Sequence, residues 1–254
     1  MDEKELEKYI SKHVLKSPAP GKHCARSSLR HLQKARGISQ IDPEMAVFRA
    51  ITGEEESATA IFHALQRRGY KNSKNLKPRD HLQKNSVAPF LEAIKIFLKK
   101  TEPFKELLDL QIVHSKSQGR LVIRLKSFHP ETKEECYAFP TPPLGFSLKQ
   151  EGKIHDFKEE LQEIAKLKES SSILKHLKVR ANMRNIILYA SSSGIPKITS
   201  SVSSHLEFFK GNIFRNLIVF LLIDQYSDRQ LFAQQALNSF LVMVEKIPPN
   251  IVFE

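Results

Sequence analysis

The sequence predicts a predominantly helical α+β protein, with a helical N-terminal part, a small antiparallel β meander and a helical C-terminal part. Three observations predict it. Apolar residues recur every three or four positions through most of the first hundred residues and again after residue 205. Between residues 111 and 139 the recurrence shortens to alternation, in segments rich in Val, Ile and Leu. Prolines bracket that change, Pro103 before it and Pro140, Pro142 and Pro143 after it.

Taken in order, the chain opens on a short charged helix that Ser17-Pro18-Ala19-Pro20 breaks. A helix resumes near Ser27, runs through Leu29, Leu32 and Ala35, and stops at Gly37. Asp42-Pro43-Glu44 then supplies an N-cap, a proline at the first helical position and an acid in the first turn. That helix is expected to continue past Leu65 and end at Arg68-Gly69. After Pro78 a second long helix carries Val87, Phe90, Leu91, Ile94, Phe97 and Leu98 on one stripe.

Gln111–Ser115, Arg120–Phe128 and Glu135–Phe139 are predicted strands, the first two joined by a turn at Ser117-Gln118-Gly119, with a fourth near Gly145–Lys149. In the second strand Leu121, Ile123 and Leu125 face opposite to Val122, Arg124 and Lys126. From Ile154 the spacing of Phe157, Leu161 and Ile164 predicts a return to helix, and Asn182–Ser191 reads equally as helix or strand. His205–Gln225 and Arg229–Lys246 are two strongly apolar helices, with Asp228 the expected N-cap of the second. The expected organisation is a helical domain over 1–103 and a second domain over 104–254, a single composite domain being the alternative.

Charge is the most informative bulk property. Forty Lys and Arg against 28 Asp and Glu give +12 in 254 residues, an excess that attracts phosphate backbones and anionic surfaces through a salt-screened field. It is concentrated. Gln66–Lys84 holds seven Lys and Arg against Asp80 alone, and Ser170–His205 holds five with no acid. Two such segments predict a patch assembled by folding rather than a basic tail. The nucleic-acid-binding candidates are Arg67, Arg68, Lys71, Lys74, Arg79, Arg180 and Arg184, the last pair spaced to clamp a phosphate. Tyr70 and Tyr189, beside these segments, are candidates for base stacking.

Other classes find little support. Two cysteines, Cys24 and Cys136, lack metal-ligand spacing and suggest a reduced, cytoplasmic protein. No secretory leader opens the chain, and its longest apolar run, Leu217–Ile223, is far too short for a membrane span. No metal site and no cofactor is expected, since neither a Cys/His cluster nor a phosphate-binding glycine loop occurs. Metal-dependent nuclease chemistry would have to draw on Asp109 and on Glu-x-Lys pairs at Glu131/Lys133 and Glu151/Lys153, a pattern too short to be specific.

One polar constellation stands out. Phe48, Ile51, Ala58, Phe62 and Leu65 share a stripe with Glu55, which therefore sits where an apolar residue is expected. Lys84 lies on the stripe of Val87, Leu91 and Ile94, with His81 one turn earlier. If the two helices pack face to face, Glu55, His81 and Lys84 converge, either as an ion pair closing a helix pair or as an acid–base site. These three are the catalytic candidates.

The alanine- and glutamate-rich helix Ala46–Ala64 with Glu54-Glu55-Glu56, followed by His81-Leu82-Gln83-Lys84, resembles the prokaryotic HEPN-type helical proteins and their abortive-infection relatives over about a third of the chain. The resemblance implies a nucleic-acid or antiviral defence context, and in many members an RNase using an arginine and a histidine four to six residues apart. Arg26–His31 and Arg124–His129 have that spacing, as chance alone would provide, so the resemblance assigns no catalytic residue. The expected function is nucleic-acid association. The alternatives are a structural or interaction subunit that joins copies of itself or a protein partner through residues 205–246, and an RNase of the HEPN type.

Overall fold

The computed structural model describes residues 3–100, 109–115, 117–128, 132–145, 148–150, 153–155, 187–189, 198 and 201–248. Among them the fold is the predominantly helical α+β architecture that the periodicity predicts. Helices α1 (Glu3–Val14), α2 (Gly21–Ile38), α3 (Pro43–Arg67) and α4 (His81–Lys100) precede the strands, and α5 (Val202–Asp224) and α6 (Leu231–Met243) follow them.

Helix α3 is the axis of the molecule. Asp42 caps it, its carboxylate accepting from the Met45 N–H at 2.9 Å, and Pro43 occupies the first turn. At the other end the Tyr70 N–H reaches the Leu65 carbonyl and the Gly69 N–H the Gln66 carbonyl, at 3.1 Å each. This Schellman closure needs a left-handed residue, and Gly69 supplies it with φ of 69°. Between the ends, α3 is covered by α2, α4 and α5. Small residues make such enclosure feasible, and at Gly53 the neighbours approach closely. A Cβ there would lie 3.1 Å from the Ser28 carbonyl oxygen and 3.0 Å from Ile213 Cδ1. Ser28 uses that proximity to donate to the Gly53 carbonyl at 2.6 Å.

Strands β1 (Asp109–Ser115), β2 (Arg120–Phe128) and β3 (Glu135–Ala138) form an antiparallel sheet in that order. Gln111 stands opposite Arg124, and Lys126 opposite Tyr137. Gly119, with φ of 63°, closes the β1–β2 turn. Leu121 and Ile123 enter the core as the alternation predicts, and Val122 is buried with them. The Tyr226 hydroxyl donates to the Leu121 carbonyl at 2.6 Å and Gln225 Oε1 accepts from the Leu121 N–H at 3.1 Å, so the sheet is pinned to the α5–α6 turn. A hairpin of β4 (Leu148–Gln150) and β5 (Lys153–His155) follows.

Several expected boundaries move. Helix α2 begins at Gly21 rather than near Ser27, because Pro20 starts it and both serines fit inside, Ser28 by bonding α3. Ile154 does not begin a helix but pairs with Lys149, where a β-branched side chain suits the ladder. Pro89 sits inside α4. The N-cap position of α6 is Gln230, not Asp228, which is exposed. Gln230 is buried because it bridges three segments: its N–H donates to Tyr70 Oη, its amide to the Leu222 carbonyl, and its Oε1 accepts from the Leu144 N–H. The helix predicted from Phe157 and most of Asn182–Ser191 lie outside the described residues.

One buried apolar cluster draws on Ile10 of α1, Leu32 of α2, Phe62 of α3, Phe90 of α4, Leu121 of β2, Phe220 of α5 and Leu241 of α6. It therefore includes residues from both sides of position 103. A smaller cluster, of Ala35, Val47, Ala50, Ile51, Leu206 and Phe209, joins α2, α3 and α5. Most large apolar side chains of residues 205–246 are consumed by this packing; Phe208 and Leu231 are the exposed ones there among the described residues. No helix is long and apolar enough to cross a membrane among the described residues.

Candidate functional site

Helices α3 and α4 meet along the two stripes read from the sequence, and Glu55, His81 and Lys84 come together. Lys84 Nζ lies 3.2 Å from Glu55 Oε2, and His81 Nδ1 lies 3.0 Å from both carboxylate oxygens. Asn85, one turn beyond His81, donates to Glu55 Oε1 at 3.3 Å. The Glu55 and Lys84 side chains are 3% and 8% exposed, while that of His81 is 50% exposed. Such burial is tolerable only because the charge is met on several sides. It also divides the roles. Glu55 is engaged inside the protein by Lys84, His81 and Asn85, and the most exposed of the three candidates is the half-exposed imidazole, oriented through Nδ1.

The polar seam continues along α3. Asn212 donates to Glu54 Oε2 at 3.2 Å and Asn216 to Ser57 Oγ at 2.9 Å, both from α5. On the α2 side Cys24 adjoins Lys84 and Glu56. Burial chiefly, and the Glu56 charge after it, push its thiol up to about 11, against the opposing pull of Lys84. A thiol held so high is not a nucleophile at neutral pH. Among the described residues no group of three or more His, Cys, Asp or Glu is placed to hold a metal ion. Glu131 and Glu151 lie outside them.

The second candidate region is the connection from α3 to α4, and here the predicted cations divide. Arg67 is fixed on buried Asp224, with Nε 3.1 Å and Nη2 2.5 Å from Oδ1, and Arg68 donates to the Asp224 backbone carbonyl. These two arginines fasten α3 to the end of α5. Lys71, Lys74 and Arg79 are exposed, as is Lys77, and none has a carboxylate partner among the described residues. The lone acid of the run, Asp80, is met by Lys246 Nζ at 3.1 Å.

The connection is also held in shape. Gln234 accepts from the Lys71 N–H at 2.8 Å and donates to the Lys71 carbonyl at 3.0 Å. Asn72, in a left-handed conformation with φ of 66°, donates to Asn238 at 3.2 Å. Gln66 spans the loop to the Ser73 and Leu76 carbonyls. Tyr70 is 3% exposed and accepts from the Gln230 N–H, so it is unavailable for stacking. Tyr189 is 66% exposed. Arg180 and Arg184 lie outside the described residues.

Two features of these surfaces are not among the sequence candidates. Asn85 follows His81 at i+4, and its signal is that helical spacing rather than any charge. The other is α2, where Gly21–Ile38 contains five Lys and Arg and no acid. Of the arginine–histidine pairs, Arg124 lies on β2, donating to Gln111 and covering the Tyr137 ring at 4.9 Å.

The chain matches no protein-family model, no curated protein and no solved structure.

Proposed function

We propose that the protein binds the phosphate backbone of a nucleic acid through the α3–α4 connection. The observation that carries this is the exposure of Lys71, Lys74, Lys77 and Arg79 on a rigid loop, without carboxylate partners among the described residues. Unpaired cations on a preorganised segment can neutralise phosphates without breaking internal ion pairs, and release condensed counterions as they do so. Arg67 and Arg68 leave the binding set, since Asp224 holds them. Base reading is not part of the proposal, because lysine-rich loops engage phosphates and carry no sequence information by themselves.

The test is binding of labelled RNA and duplex DNA across a salt titration. Changing Lys71, Lys74, Lys77 and Arg79 to glutamine is expected to weaken binding and flatten log K against log salt. The slope should fall by roughly 0.9 for each duplex phosphate left without its cation, and by roughly 0.7 for each single-strand phosphate. Absence of binding by the unaltered protein at ~50 mM salt, where phosphate neutralisation is strong, would remove this reading.

The anchored imidazole favours a second reading, an RNase in which His81 is the proton-transfer group and Glu55 positions it; the HEPN resemblance also suggests an RNase, though one using an arginine–histidine pair. A histidine held through Nδ1 by a carboxylate is oriented to take a proton from the 2′-hydroxyl of RNA. His81→Ala should then abolish RNA cleavage while shifting the unfolding midpoint little, because the side chain is half-exposed. RNA cleavage unchanged in that variant would exclude His81 from the chemistry.

A further inference from the structure

We propose that the outer face of α2 is a second phosphate-binding surface, a cationic ridge of Lys22, Arg26, Arg30 and Lys34 joined by Arg49 of α3. The inference rests on the nucleic-acid reading above and extends it to a surface on a different element. Helix α2 is sharply two-sided. Ala25, Ser28, Leu32 and Ala35 are buried against the rest of the fold, and the Ser28 bond to Gly53 fixes the rotation of the helix about its axis. Arg26, Arg30 and Lys34 are exposed, and Lys22 and Arg49 are partly so.

The interval between charges is of the order of the axial spacing of phosphates. Four residues of α-helix rise about 6 Å, so the ridge presents a cation at that interval over about 18 Å. Alternate phosphates on one strand of a duplex are separated by about 7 Å along the axis. Among the described residues these five cations have no carboxylate partner, whereas Arg36 on the same helix meets Glu207 at 3.6 Å. Of the acids near α2, Asp42 caps α3, and the charge of Glu56 acts on Cys24 at the start of the helix. The summed field is felt locally: His31 is held below its ordinary range first by burial and then by Arg49, Lys34 and Arg30. Three separate cations therefore act on one point of the α2–α3 seam, as expected of a patch rather than of scattered surface charge.

The experiment uses the full chain and compares three proteins with the parent against labelled duplex DNA and single-stranded RNA over a salt series. One carries Lys22→Gln, Arg26→Gln, Arg30→Gln and Lys34→Gln; the second carries the glutamine changes at the α3–α4 connection; the third exchanges lysine and arginine at the four α2 positions. Removing the ridge charges is expected to flatten the salt slope by roughly 3 to 4 on duplex DNA, at about 0.9 per phosphate, and the exchange variant to keep the parental slope. Parental binding that the connection variant weakens and the ridge variant leaves intact would overturn the ridge while sparing the broader reading. No binding by the parent would overturn both. Binding of a polyglutamate peptide to the ridge as tight as that of nucleic acid would also overturn it, making α2 a docking face for an acidic protein segment.

Discussion

Replacing Lys84 with methionine is expected to destabilise the fold by about 3 kcal/mol, near the lower end of the range for breaking a buried ion pair from one side. Methionine keeps most of the lysine stem, so the loss is one of charge and hydrogen bonding rather than of volume. What remains is a carboxylate, 3% exposed, deprived of its closest full cation at 3.2 Å. Asn85 and His81 still meet it, which is why the lower end of the range applies. The companion substitution decides the cause. Glu55→Gln with Lys84→Met removes the stranded charge yet keeps an acceptor for Asn85 and His81, and should recover most of the lost stability. Urea denaturation of both variants, with unchanged dependence on denaturant, is the measurement. A loss below about 1 kcal/mol for Lys84→Met would show that His81 and Asn85 alone satisfy Glu55, since such a value is typical of exposed pairs.

That result bears on function as well as folding. If Lys84 carries the stability of the seam, then Lys84 and Glu55 are unsuited to direct contact with a substrate, and His81 is the most exposed member of the three. The sequence exposes this site unusually well because its logic is local. Glu55 interrupts an apolar stripe, Lys84 interrupts another, and both stripes follow helical spacing closely. Caps are legible for the same reason. Asp42-Pro43 and Arg68-Gly69 act within a single turn of chain, and both act as their residue types predict.

Features that depend on partners far along the chain are not legible in this way. Arg67 looks like a phosphate ligand until Asp224, 157 residues away, is seen to hold it. Glu54 is supported by Asn212 at a separation of 158, and no window around either residue hints at the other. Tyr70 stands in a basic run yet is buried, because Gln230 needs its hydroxyl. The N-cap of α6 departs from expectation for a related reason, since Gln230 is fixed by three tertiary bonds rather than by local capping. The ridge on α2 is hidden differently. A count along the sequence finds the charges, five Lys and Arg with no acid over Gly21–Ile38, but only the spacing around the helix gathers four of them on one side.

The second large effect is expected at Phe220. Phe220→Ala should cost about 3–5 kcal/mol, the range for truncating a fully buried phenylalanine. Its ring is inaccessible and lies over Gly21, where an added Cβ would sit 2.9 Å from Cε2 and 3.6 Å from the Ala60 carbonyl oxygen. The ring thus occupies the space that a side chain at the start of α2 would otherwise fill, and joins α2, α3 and α5 at one point. Because Gly21 has nothing to extend into the hole, collapse around the cavity is limited, which favours the upper part of the range. The same geometry predicts coupling. Gly21→Ala alone should destabilise, because a packed aromatic ring cannot give way as a flexible chain end can. Phe220→Leu alone should cost less than the alanine change, and in its presence the Gly21→Ala penalty should largely vanish. A thermal or urea double-mutant cycle measures that difference, and additive losses would place the ring and the glycine out of contact. Coupling of the predicted sign would establish that α2, and with it the cationic ridge, is held in place by an aromatic side chain from the far end of the chain.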